Sequence, residues 1–196
     1  MNVATKEKID IHIKNLRDTI ITAEHNHDIW WIYKSKDTRP KFIGVMKSYR
    51  AFFLTSIHAH FVAMIIALYR LYETRRDTIS LPQLLKILKH DHPLSDNAMK
   101  RVSALIKEAK PTWIKVGIIR SEVFAHSNNE SNTEESFKKA DIKYGQFKEL
   151  IELSKTIINV ITQDYNCGTH VFNLSAEFDT KALLTDLLSS RNRKNE

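Results

Sequence analysis

The 196-residue sequence has little of what sheet-rich, disulfide-bonded or secreted proteins need. It contains one cysteine, so it forms neither an intrachain disulfide framework nor a zinc site made of several thiolates. Its four glycines and four prolines are too few for the turns that sheet-rich folds need roughly every 8–12 residues. Residues 1–6 lack the apolar core of a signal peptide. We therefore expect an all-α protein located in the cytoplasm.

The overall composition is that of one globular domain with an excess of positive charge. Hydrophobic residues make up 42% and charged residues 27% of the chain, and the mean hydropathy of -0.35 excludes a polytopic membrane protein. The 30 basic and 23 acidic residues give a net charge of +7, which favours nucleic acid, or secondarily an anionic membrane, as a partner. We predict a single helical domain over residues 1–190 and a polar tail over 191–196.

Apolar spacing predicts two long N-terminal helices followed by four or five shorter ones. Steps of three and four predict the long helices over residues 4–33 and 42–73. Ser80 and Pro82 predict the start of a short third helix, and Ser95 or Asp96 the start of the next. Pro111 is expected to open a further helix that leads to Arg120. Helices are also predicted over 144–164 and 180–189, with an exposed loop over 127–141.

The stretch between Arg50 and Arg70 has no charged residue and is long enough to be tested as a membrane span. His58 and His60 lie in its middle, and the apolar period continues past both arginines. We therefore interpret it as the central helix of a soluble bundle, with no membrane partner.

One pair of residues has a recognisable chemistry, namely Arg120 and His126. On an unbroken helix these residues, six positions apart, project roughly 120° from each other. They can act together only if the helix ends or distorts near His126, and the polar run after it predicts such an end. Histidine can accept the proton of an RNA 2′-hydroxyl, and arginine can donate to the phosphate of the transition state. Such a pair in isolation is common in proteins without this activity.

The sequence around the pair resembles the HEPN superfamily, in particular the branch associated with bacterial abortive infection. The signature of the superfamily is an arginine followed by a histidine at a helix end, as in residues 119–128 (IRSEVFAHSN). Two flanking blocks are also similar to that branch, and both occur in the expected order: residues 67–72 (ALYRLY) with 79–85 (ISLPQLL), and residues 143–151 (KYGQFKELI).

The resemblance implies a helical bundle of up-down type that dimerises, with two motifs facing each other across a positively charged cleft. It further implies metal-independent endoribonuclease activity in a defence or toxin–antitoxin system, with an antitoxin or a nucleotidyltransferase as a possible partner. Arg120 and His126 would be the catalytic residues, and RNA the substrate. The candidate substrate-binding residues are Ser121, Ser127, Asn128 and Arg70. An alternative remains open, a non-catalytic HEPN bundle that binds RNA or another protein.

No cofactor or metal site is expected. Three pairs of histidines are separated by one residue. They are His25 and His27, His58 and His60, and His90 and His92. Residues two apart in a helix point away from each other, so the first two pairs cannot chelate one ion. The pair at His90 has no third ligand nearby in the sequence, and we predict no metal there.

Overall fold

The computed structural model describes residues 3–125, 133–165, 168–173 and 175–193. Within these ranges the protein has eight helices and no strand, which confirms the predicted all-α class. The helices are α1 (Val3–Lys34), α2 (Arg39–Ser48), α3 (Arg50–Leu71), α4 (Leu81–Asp91), α5 (Asp96–Ala125), α6 (Thr133–Ala140), α7 (Tyr144–Asp164) and α8 (Ala176–Arg193).

Helix α1 is the axis of the bundle, as its apolar spacing predicts. Its most extensive contact is with α3, and α4, α7 and α8 pack around its other sides. The residues that recur at steps of three and four are buried in the main core: Ile9, Ile13, Leu16 and Ile20. The predicted first helix is therefore confirmed, with bounds one residue wider at each end.

The second long helix predicted over residues 42–73 is wrong, because two helices occupy this segment. Tyr49 has φ -117° and ψ 48°, which ends α2 and begins α3. The two helices bury their apolar residues in different places. Phe42, Val45 and Met46 of α2 join a smaller core with Leu184 of α8, whereas most of the buried residues of α3 belong to the main core. Tertiary packing thus breaks a helix that local periodicity would continue.

Helix α3 packs against α1, α5 and α7. The most apolar 18-residue window of this 22-residue helix has a mean hydropathy of 1.9, so the helix is long and apolar enough to cross a membrane by length and composition alone. One third of that window is buried inside the bundle. Its exposed residues include Phe52 and Leu54 at the N-terminal end and Ile66 near the C-terminal end.

The prediction that Pro111 opens a new helix is also wrong. Helix α5 runs without interruption from Asp96 to Ala125 and carries Pro111 in its interior. Pro111 and Lys107, whose carbonyl group loses its helical hydrogen bond at a proline, both lie at the exposed surface. Water can therefore satisfy that carbonyl, which lowers the cost of the proline.

The segment predicted as an exposed loop over residues 127–141 contains helix α6, so that prediction is wrong for residues 133–140. Phe137 anchors α6 to the bundle, with ring centroids 5.6 Å from Phe61 and 5.2 Å from Tyr144. Asp141 then turns the chain with φ 48°, a conformation that aspartate tolerates better than most residues. One aromatic residue in a polar stretch gives too little periodicity to predict this helix.

Helix α8 is longer than predicted and includes residues 191–193, which we expected in the polar tail. The guanidinium group of Arg191 lies directly against Gly44 of α2, at a point where a side chain on residue 44 would meet it. This contact gives the last turns of α8 a neighbour that the sequence alone does not reveal.

A buried hydrogen bond joins the C-terminal end of α3 to α7. The Oη atom of Tyr72 lies 2.8 Å from the Oγ atom of Ser154, and Ser154 donates its own proton to the carbonyl oxygen of Leu150 at 2.7 Å. Tyr72 is therefore the donor to Ser154. Burial raises the pKa of Tyr72 far above its ordinary value, so its hydroxyl keeps this proton.

This assignment of donor and acceptor predicts an asymmetric pair of variants. Ser154→Ala leaves the Tyr72 hydroxyl buried without an acceptor and should lower the free energy of unfolding by about 1–3 kcal/mol. Tyr72→Phe removes the Tyr72 hydroxyl group itself, so no buried donor is left without an acceptor. It should lower the free energy of unfolding by less, about 1 kcal/mol. In urea denaturation we expect the double variant to be no less stable than Ser154→Ala alone. Additive losses would show that the two hydroxyl groups do not interact.

Candidate functional site

The arginine of the predicted motif lies on a face of α5 that is turned towards the C-terminal end of α3. Trp113, Gly117 and Arg120 follow one another at steps of four and three, which places them on the same side of the helix. Tyr69 of α3 is the nearest neighbour of Gly117, and a methyl group on residue 117 would be in van der Waals contact with the tyrosine ring. The ring therefore lies along α5 at contact distance from residue 117.

Tyr69 is the platform on which the Arg120 side chain rests. The guanidinium carbon of Arg120 lies 4.3 Å from the centroid of the Tyr69 ring, a cation–π contact. The Trp113 ring stacks on the same tyrosine with centroids 5.8 Å apart and planes 29° apart. The indole Nε1 of Trp113 also donates to the backbone carbonyl oxygen of Tyr69 at 3.1 Å. Helix α5 thus contacts both the ring and the backbone of Tyr69. The fixed ring in turn orients the guanidinium group of Arg120.

A surface cavity of about 610 Å³ opens beside Arg120. We call it the arginine cavity, and its lining consists of Ile66, Tyr69, Arg70, Glu73, Arg75, Asp77, Thr78, Ile79 and Arg120. Three arginines face two carboxylates, and Arg75 is paired with Asp77 at 3.4 Å. Within the described part of the chain, neither Arg70 nor Arg120 forms an ion pair. The lining therefore has a net charge of +1, with two guanidinium groups outside any ion pair beside the carboxylate of Glu73, and the arginines suit an anionic ligand.

The loop that forms one wall of the arginine cavity is tied down by a buried glutamine. The Nε2 atom of Gln83 in α4 donates to the carbonyl oxygens of Thr74 and Arg75, each at 2.8 Å. Ser80 caps α4 by accepting a hydrogen bond from the backbone of Gln83, as its position before Pro82 predicts. Arg75 is consequently carried by a fixed stretch of backbone.

The structure brings together two of the predicted site residues and separates a third. Arg70 and Arg120 line the same cavity. Ser121 is exposed in a neighbouring depression of about 430 Å³, which Trp113 and Lys139 also line. Its role in substrate binding stays a prediction. His126, Ser127 and Asn128 lie outside the described residues, so the predicted end of the helix near His126 also stays a prediction.

Three contributors to the site are missing from the predicted set of site residues. Tyr69, Arg75 and Gln83 shape the cavity, but only Arg70 was expected there from this part of the sequence. The spacing of Trp113, Gly117 and Arg120 was an available signal, since it indicates one face of a helix with room for a ring. The sequence contains no comparable signal for Gln83, because its partners are backbone carbonyl groups.

Metal-ligating side chains do not cluster in the part of the chain that the structure describes. No group of three or more histidine, cysteine, aspartate or glutamate residues lies close enough there to hold an ion. His90 is hydrogen-bonded to Asp91 at 2.6 Å on the surface.

Comparison with known families decides the affiliation of the chain. The family model HEPN_AbiU2, described as AbiU2, matches residues 6–185, which is nearly the whole sequence. The chain is a HEPN-domain protein of the AbiU2 family. The resemblance to the abortive-infection branch of HEPN proteins is thereby confirmed. No curated protein and no solved structure matches this HEPN protein.

The stacking of Arg120 on Tyr69 predicts a measurable coupling between the two side chains. In a double-mutant cycle with Tyr69→Leu and Arg120→Ala, the free energies of unfolding should be non-additive by about 0.5–1 kcal/mol, the usual value for an exposed cation–π contact. Urea denaturation measures all four proteins. Arg75→Ala is the matched control, because it removes an arginine of the same cavity that has no such contact with the ring. Equal coupling in both cycles would contradict a specific stack.

Proposed function

We propose that this HEPN protein is a metal-independent endoribonuclease of a bacterial defence or toxin–antitoxin system. The observation that supports the proposal most directly is the arginine cavity, where Arg120 is oriented by Tyr69 and no carboxylate within the described residues neutralises it. An arginine that is kept in place but left without a counter-ion is suited to an anionic substrate. His126, the histidine of the predicted motif, follows Arg120 by six positions in the sequence.

In the proposed reaction, the 2′-oxygen of an RNA ribose attacks the phosphorus of the adjacent phosphodiester. His126 accepts the proton of the 2′-hydroxyl, and the 2′-oxygen forms a bond to phosphorus. The bond from phosphorus to the 5′-oxygen breaks, and that oxygen takes a proton to become a 5′-hydroxyl. The other product is a 2′,3′-cyclic phosphate. Arg120 donates hydrogen bonds to the phosphate oxygens as negative charge builds on them in the transition state.

The arginine cavity can accommodate more than the reacting phosphate. Its volume of about 610 Å³ falls within the range of pockets that bind ligands of nucleotide size. Arg70 offers a second guanidinium group in the same cavity, and we assign it to a neighbouring phosphate of the RNA. Ser121, Ser127 and Asn128 are proposed as further contacts of the substrate.

The proposed active form is a cytoplasmic homodimer in which the two motifs share one cleft. Two apolar side chains next to the site support it. Ile66 is exposed at the wall of the arginine cavity, and Ile114 is exposed in the depression that contains Ser121. An antitoxin or a nucleotidyltransferase encoded nearby is the proposed regulator.

Cleavage of RNA in the presence of EDTA tests the proposal. We expect the wild-type protein to cut RNA and to leave 2′,3′-cyclic phosphate ends. Arg120→Ala should lower the rate by about 100-fold or more, because it removes donors to the transition state. His126→Ala should lower it by about 100-fold to 10,000-fold, because it removes the base. Arg101→Ala is the control, since Arg101 is an exposed arginine in the first half of α5.

Three results would contradict the catalytic role. They are a wild-type protein that cuts no RNA, motif variants that cut as fast as the wild type, and loss of activity in Arg101→Ala to the same extent. Salt-sensitive RNA binding that survives His126→Ala without any cleavage would instead assign the non-catalytic function of an RNA-binding bundle.

A further inference from the structure

A second cavity lies where α2 meets α3, at the opposite end of α3 from the arginine cavity. It has a volume of about 500 Å³, and its lining consists of Arg39, Ile43, Met46, Lys47, Arg50, Phe53, Leu54 and Ile57. We call it the elbow groove. Arg50 and Arg70 are twenty residues apart on one helix, about 30 Å along its axis, and the nearest lining residues of the two cavities on α3, Ile57 and Ile66, are about 14 Å apart along the axis.

The elbow groove lies in a strongly basic segment of the chain. Residues 36–50 contain five basic side chains and one acidic side chain, a net charge of +4. Arg39, Lys47 and Arg50 line the groove, and none of its described lining residues is a carboxylate. None of these three residues forms an ion pair with any other described residue. These three side chains are therefore available to pair with the carboxylates of a partner.

Apolar side chains are concentrated at the same place. Met46 and Phe53 form a buried floor, and Ile43 and Ile57 are half-buried beside them. Leu54, which lines the groove, is 57% exposed, and two residues close to it in the sequence, Tyr49 and Phe52, are 52% and 62% exposed. Three large apolar residues exposed within six positions are more than a soluble helix needs. Such a patch, ringed by charged residues, is typical of an interaction surface.

The shape and charge of the groove favour one kind of partner. A concave floor between two helices receives the apolar side chains of a third helix, which is a recurrent mode of peptide recognition. Arg39 and Lys47 lie eight residues apart in α2, which corresponds to about 12 Å along its axis. Carboxylates two turns apart on a partner helix are separated by about 11 Å and can meet both. A bilayer surface fills a concavity poorly, and nucleic acid does not match an apolar floor.

We propose that the elbow groove is the docking site for an acidic amphipathic helix of a partner protein. The apolar face of that helix lies on Met46, Phe53 and Leu54, and its carboxylates pair with Arg39, Lys47 and Arg50. The inference does not depend on ribonuclease activity, because it involves neither Arg120 nor the arginine cavity.

Binding of a defined peptide tests the proposal. The probe is a fluorescein-labelled, alanine-based helical peptide with leucines at i, i+4 and i+7 and glutamates on both flanks. Its control is a peptide of the same composition with the leucines distributed around the helix. Fluorescence anisotropy with the full-length protein measures both affinities. We expect the patterned peptide to bind at least tenfold more tightly than the control.

Two variants of the protein separate the groove from general charge attraction. Arg39→Glu combined with Arg50→Glu should weaken binding of the patterned peptide at least tenfold. Both positions are at the beginning of a helix, where glutamate is well tolerated, so the fold should be retained. Lys107→Glu combined with Lys110→Glu changes the net charge equally on an exposed face of α5 and should leave binding unchanged. Leu54→Ser should weaken it without any change of charge.

The proposal is overturned if both peptides bind equally, if neither binds, or if the two charge-reversal variants behave alike. Parallel measurements with phosphatidylglycerol vesicles and with single-stranded RNA test the other polyanions. If Arg39→Glu with Arg50→Glu abolishes vesicle or RNA binding but leaves peptide binding unchanged, the groove belongs to that ligand and the proposal is wrong.

Discussion

The contact between the C-terminal end of α3 and the C-terminal half of α5 is the constraint on which the candidate site depends. Tyr69 lies against α5 at Gly117, receives a hydrogen bond from Trp113 on its backbone carbonyl group, and supports the guanidinium group of Arg120 on its ring. These contacts convert an exposed and otherwise flexible side chain into an oriented one. The site therefore results from how two helices pack, before any property of the motif itself is considered.

Hydrogen bonds to other helices of the bundle fix the end of α3 that makes this contact. Three residues beyond Tyr69, Tyr72 donates a buried hydrogen bond to Ser154 of α7. Gln83 of α4 holds the loop that follows α3 through two backbone carbonyl groups. The end of α3 is thus attached to α4, α5 and α7. At its other end, α3 begins at the elbow groove, so residues of this one helix line both cavities.

Much of the fold was predictable because apolar residues recur in the sequence with the period of a helix. Helices α1 and α7 and the cap at Ser80 agree with the sequence-based expectation. The errors occur where distant contacts outweigh local pattern, as at Tyr49, where α2 turns to pack on α8, and at Phe137, where one aromatic ring holds α6. In the site, Arg120 was predictable from a recognisable motif and Arg70 as the charged residue of the flanking block 67–72. Tyr69 and Gln83 were not, because their roles arise from stacking and from backbone hydrogen bonds.

The most direct test of the central claim is a crystal structure of the protein with an RNA whose 2′-hydroxyl at the scissile position is replaced by hydrogen, which blocks the proposed reaction. We expect the phosphate next to that position to accept hydrogen bonds from Arg120, with the guanidinium group still stacked on Tyr69 and His126 facing the missing hydroxyl. A phosphate backbone bound elsewhere, with the arginine cavity empty, would contradict the claim that Arg120 is held in place to act on RNA.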